Sequence, residues 1–208
     1  EMIRAGVKVM LEATADIATI KALKPDAVVI ATGSTPRVPH DVVGLDQSHV
    51  VQGWDVLRGK AQTGKRVALI SQEDYYETPC IAEYLAAQGK EVMVFHKSVQ
   101  LGFEIARYSV GMVLKRMEEF NVTVKPNLVL SKVDGKAIEL SSAWGGKTYR
   151  EEGFDSVVLV YGSVAQCDLY DQLKAEGSIA QLYLAGAAWL PRHMSESTRH
   201  GANIGLAI

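Results

Sequence analysis

Residues 66–95 read RVALISQEDYYETPCIAEYLAAQGKEVMVF. The ends, Arg66–Ile70 and Glu91–Phe95, are apolar runs of strand length, and between them Ile81, Ala82, Leu85 and Ala86 recur at helical spacing until Gly89 stops the pattern. Strand, helix and strand within about thirty residues make a βαβ unit, whose strands lie parallel. Toward the C-terminus, Glu104–Phe120 carries Ile105, Tyr108, Met112, Val113, Met117 and Phe120 at helical spacing, which predicts a helix covering one sheet face. Short strands follow at Val122–Val124, Leu128–Val133 and Ala137–Leu140, the last two joined by a hairpin turn at Asp134-Gly135. Phe154–Tyr161, FDSVVLVY, predicts another buried strand, and Gln181–Ala185 leads through Gly186 to a helix from about Ser195.

Toward the N-terminus, the stretch from 40 to 64 is turn-rich, with Gly44, Gly53, Gly59 and Gly64, and is expected to be a linker despite Val50-Val51 and a short amphipathic run at Trp54–Leu57. Ala27–Ala31 is a continuous apolar run that predicts a buried parallel strand, and Asp16 can cap a short helix carrying Ile17, Ile20 and Leu23 before Pro25. Val7–Leu11 alternates like a strand, after a helix end stopped by Gly6. The expected fold is α/β: a Rossmann-like three-layer parallel sheet with helices on both faces, plus a small antiparallel β element.

Composition narrows the function classes. Of 208 residues, 48% are apolar and 22% charged, enough to bury a core. The net charge of −2 gives no global field to attract nucleic acid or an acidic membrane. No signal-peptide pattern or long apolar run opens the chain, so a cytoplasmic location is expected. The two cysteines, Cys80 and Cys167, and the five histidines show no metal-ligand spacing, and no Gly-x-Ser-x-Gly elbow is present. The first residue is Glu rather than Met, and a piece of a longer protein is expected.

The order of Ala31-Thr32-Gly33 after a strand, the βαβ unit, FDSVVLVYG and the terminal YLAGAAWLPR resembles the flavoproteins with two dinucleotide-binding domains. Within them, Tyr75-Tyr76 followed by Ile81–Val92 is similar to the C-terminal region of the trimethylamine dehydrogenase and 2,4-dienoyl-CoA reductase family. That resemblance implies an NAD-type domain at about 60–165 inserted into an incomplete FAD-type domain whose remnants are residues 1–40 and 180–208. It also implies FMN and an iron–sulfur cluster only in an upstream flavin-barrel domain, with FAD or ADP in this region, so that this chain would be inactive by itself.

The residues qualify that expectation. Between Ile70 and Ile81 the loop SQEDYYETPC has no glycine, carries Glu73, Asp74 and Glu77 where an anion would sit, and loses an N–H at Pro79. The second strand of the unit ends in Val94-Phe95-His96-Lys97, with no acid for a ribose. NAD(P)H is therefore disfavoured, and Tyr75-Tyr76 would either stack on an adenine or plug the vacated space. The resemblance places nucleotide contacts at Ala31, Thr32 and Gly33, at Gly186 and Ala187, and at Arg192, Ser195 and Glu196. Ala187 stands where the family usually has an aspartate, and alanine accepts no hydrogen bond. The alternative function is a non-catalytic scaffold, or a docking domain for an electron acceptor, with a lost or structural nucleotide site. An unpaired sheet edge in the incomplete domain would allow self-association.

Overall fold

The computed structural model describes residues 2–208. The chain forms two compact units, one made of the stretches through Thr35 and from Val164 onward, the other of Pro36–Ser163.

In the first unit, the Asp16 carboxylate accepts from Thr19 N at 2.8 Å and caps α1 (Ile17–Leu23). Then come β1 (Ala27–Ile30) and β2 (Ser34–Pro36). Ahead of α1, Val7–Met10 is not a strand. Its apolar side chains are exposed, and Glu12 turns the backbone to a φ of 55°, which ends extended geometry. Alternation alone does not make a strand; a backbone partner does, and these residues have none among those described.

The second unit takes in the whole stretch expected to be a linker. Val50–Gln52 is β3, followed by α2 (Gly53–Leu57), β4 (Arg66–Ser71), α3 (Glu77–Ala87), β5 (Glu91–His96), α4 (Arg107–Glu119) and β6 (Thr123–Lys125). Then β7 (Leu128–Asp134), β8 (Ala137–Ser142) and β9 (Thr148–Glu152) form an antiparallel sheet, and β10 (Ser156–Val160) returns to the main sheet. That sheet has the order β3-β10-β4-β5-β6, with every pairing parallel. A three-residue edge strand such as β3 is too short to show a period, so its turn-rich flanks dominated the sequence reading.

Period-two alternation along β4, β5 and β10 builds two cores. Val67, Leu69, Val92, Val94, Val158 and Val160 meet Val56 of α2, Ile81, Ala82 and Leu85 of α3, and Met117 of α4. The intervening Ala68, Ile70, Phe95, Val157 and Leu159 meet Leu130, Val133, Ile138 and Leu140 of the antiparallel sheet. This corrects the expectation of helices on both faces: helices cover one face and the antiparallel sheet covers the other. The hairpin was legible from Asp134-Gly135, but the alternation of β7 and β8 does not say which surface their apolar faces meet. The helix expected at Glu104–Phe120 begins at Arg107, and of the apolar stripe on it only Met117 is buried, while Tyr108 and Met112 are 89% and 68% exposed.

β11 (Ser163–Ala165), at the return of the chain, pairs with β2. Next come α5 (Asp168–Glu176), β12 (Gln181–Leu184), a 3-10 turn at Gly186–Ala188 and α6 (Met194–Ala207). β1 and β12 form a two-stranded parallel sheet with Ala27 opposite Gln181 and Ile30 opposite Leu184. The small core of this unit joins Ile20, Ile30 and Leu173, and Val29 is 41% exposed, so β1 is parallel but not buried on both faces as expected. No helix among the described residues is long and apolar enough to cross a membrane.

Candidate functional site

At the end of β12, Ala185 N donates to Ile30 O at 2.8 Å, which brings the carboxyl ends of the two parallel strands together. The chain then turns at Gly186, whose φ of 60° favours glycine, and Gly186 O accepts from Trp189 N and Leu190 N, both at 3.1 Å. The turn leads to the amino end of α6, and the two together frame a pocket of about 470 Å³. Gly186, Arg192 and Glu196 line it, joined by Trp189, Arg199 and His200. Glu196, Arg199, His200 and Asn203 share one face of α6 by their i, i+3, i+4, i+7 spacing. That spacing was the available signal for Arg199, His200 and Asn203, which the sequence reading missed along with Trp189.

The pocket suits an anion with an aromatic or polar neighbour. Two guanidinium groups, Arg192 and Arg199, stand near the positive end of a helix of 14 residues. Glu196 opposes them in part; the Ser195 hydroxyl, donating to Glu196 Oε2 at 2.9 Å, holds its carboxyl below the usual range, so it is ionised. Gly186 N donates to His200 Nδ1 at 3.3 Å, and the His200 ring lies against Trp189 with centroids 4.7 Å apart. The other expected residues fall around rather than in this pocket. Ser195 acts through Glu196, and Ala187 lies in the 3-10 turn. Ala31, Thr32 and Gly33 follow β1; the Thr32 hydroxyl donates to Gln166 O, and Gly33 O accepts from Gln166 N at 3.0 Å.

A second polar cluster sits at the carboxyl edge of the five-stranded sheet, beside the point where strand order reverses at β4. Ser71 and His96 end β4 and β5 in register. Ser71 Oγ lies 2.9 Å from His96 Nδ1 and 2.7 Å from Thr78 Oγ1, His96 Nε2 lies 3.0 Å from Asp74 Oδ1, and Ser98 Oγ donates to Asp74 Oδ2 at 3.0 Å. Ser71 Oγ also donates to Glu73 O at 3.3 Å, so the end of β4, the end of β5 and the loop between β4 and α3 are tied through one hydroxyl. The composition is that of a hydrolytic triad, but Ser71, Thr78 and His96 are all 0% exposed, so no substrate reaches the hydroxyl. The cluster is a lock on the loop after β4. No group of residues able to hold a metal occurs among those described, and the cysteines are one to each unit, so a cluster needing three or four thiolates has no ligand set here.

The model of the OYE-like second alpha/beta domain matches residues 51–160. The chain belongs to that family. Dimethylamine dehydrogenase of Hyphomicrobium sp. (strain x) is 30% identical across 87% of this chain and 29% of its own. The probable N-methylproline demethylase of Rhizobium meliloti (strain 1021) is 27% identical across 81% of this chain and 25% of its own. Among solved structures, a 2-naphthoyl-CoA reductase complex superposes with a TM-score of 0.86 at 30% identity, covering 100% of this chain and 30% of the reductase. The chain thus spans between a quarter and a third of the length of these relatives, which are oxidoreductases of the trimethylamine dehydrogenase and old-yellow-enzyme-like kind.

Proposed function

We propose that this chain is the nucleotide-handling region of a larger flavin-dependent oxidoreductase, of the amine dehydrogenase or enoate reductase type, and is inactive by itself. The observation that carries this reading is the convergence of Gly186, Arg192, Arg199 and the start of α6 on one pocket. Membership of the OYE-like family and the likeness to dimethylamine dehydrogenase and 2-naphthoyl-CoA reductase supply the redox context. The pocket fits the phosphate and adenine portion of FAD or of a bound ADP. Arg192 and Arg199 would hold the phosphates, with the backbone N–H groups at the start of α6. Trp189 offers a ring face for the base. Ala31, Thr32, Gly33 and Ala187 would border the nucleotide through backbone contacts, and Ser195 would hold Glu196 away from the phosphates. An FAD bound here would supply electron transfer, whereas ADP would be structural. FMN and an iron–sulfur cluster belong in this reading to an upstream flavin-barrel domain, the chain's principal partner.

The test is to acid-quench the purified protein and separate the supernatant by chromatography. Stoichiometric FAD or ADP is expected. A supernatant empty of both, with no uptake of either on incubation, would overturn the reading. It would favour the second one, a scaffold or an electron-acceptor docking domain, which the sealed Ser71–His96–Asp74 cluster supports.

A further inference from the structure

α3 runs for 11 residues from Glu77, so its amino end carries N–H groups without helical partners and a partial positive charge. In a working dinucleotide fold this is the seat of the pyrophosphate. Here the seat is taken from within. Glu73 Oε1 accepts from Thr78 N at 2.6 Å and Glu73 Oε2 accepts from Tyr75 N at 2.8 Å, so both oxygens of one carboxylate are spent on amides of the loop and the first turn of α3. A carboxylate taking two backbone N–H groups reproduces what phosphate oxygens do at such a turn. The neighbouring Asp74 faces the other way, to His96 and Ser98, and clamps the loop that carries Glu73.

The local field agrees with this. Burial, followed by the charge of Glu73, pushes the Glu77 carboxyl up to about 7. A position that resists a second carboxylate resists the two charges of a pyrophosphate more strongly.

We propose that Glu73 is an internal occupant of the anion seat in the Pro36–Ser163 unit, and that it is the residue that bars NAD(H) and NADP(H) from that unit. It caps α3 as a ligand would, so the fold is kept while the nicotinamide entry is closed. This inference does not depend on the α6 pocket, which belongs to the other unit.

The test titrates the wild type, Glu73→Ala and Glu73→Gln with NADH, following nicotinamide fluorescence, each also in an Arg199→Ala background to remove binding at α6. With Arg199→Ala present, the wild type is expected to show no saturable signal up to about 1 mM, and Glu73→Ala to bind at least about tenfold more tightly. Glu73→Gln, which keeps an occupant without the charge, should fall between them. Saturable binding by the wild type in that background, or no gain with Glu73→Ala, would overturn the proposal. If Glu73→Ala does not fold, Glu73→Gln in the Arg199→Ala background decides, and no gain in NADH binding over the wild type would overturn the proposal.

Discussion

At the residue scale, Glu77 is shifted the opposite way to Asp16, Asp155, Glu176 and Glu196, whose carboxyls are all held low by hydrogen bonds. Its carboxyl is raised from 4.5 to about 7 by burial and by Glu73, with a hydrogen bond from Trp54 acting the other way. Between those values the folded protein binds a proton that the unfolded chain releases, so this group makes stability fall as pH rises from about 4.5 through about 7. Glu77→Gln is expected to raise Tm at pH 8 and to flatten that decline, which thermal unfolding across pH 4.5–8 would check. Gly44 sets a different kind of limit: its φ is 84°, and a Cβ there would lie 2.2 Å from Val133 O. Because Val133 N donates to Val43 O at 2.8 Å, Gly44→Ala must pull the segment off β7 or strain the backbone. A loss of about 1–3 kcal/mol is expected in urea unfolding. The acids of the loop after β4 were legible in sequence as opponents of an anion. That one of them takes the anion's hydrogen bonds was not, because the signal is a direction in space rather than a spacing. In the α6 pocket, Arg199 and His200 escaped notice for a simpler reason, since a polar face at helical spacing is the ordinary dress of any exposed helix.

At the element scale, what was legible follows from period. α1, α3, β4, β5, β10 and the β7–β8 hairpin were all anticipated, because each combines a clear repeat with a stop signal such as Gly89 or Asp134-Gly135. β9 and α5 were missed. The first is TYREE, an edge strand with charged residues that shows little apolar alternation, and the second carries few apolar residues although Leu173 is fully buried. The antiparallel cover makes a prediction that a helical cover would not. Ile138 in β8 is 0% exposed and packs toward the main sheet, so Ile138→Ala should cost about 2–5 kcal/mol. Tyr108→Ala on the outer side of α4, where sequence alone expected a core residue, should change stability by no more than about 0.5 kcal/mol. Urea unfolding of the two variants side by side would decide which cover the sheet has.

At the scale of the whole molecule, the two units differ in how much they bury. The Pro36–Ser163 unit has two cores on one five-stranded sheet, whereas the other relies on Ile20, Ile30, Leu173 and their half-buried neighbours around two strands. Unfolding is expected in two steps, with amides of β1, β12 and α6 exchanging hydrogen earlier than those of β4 and β10. Added ADP should raise the first step and leave the second in place, and a single cooperative transition would count against this division. The pairing of β1 with β12 also has a consequence in time. The partners are separated by about 150 residues of chain. At about 5–20 residues per second, β1 is synthesised about 8–30 s before β12. The intervening unit has every strand of its own sheet by then and can fold first, which brings the later partner back to a β1 segment that has waited with its apolar side chains uncovered. During that interval the growing chain is open to chaperones and proteases around β1, while the Pro36–Ser163 unit is already closed to them.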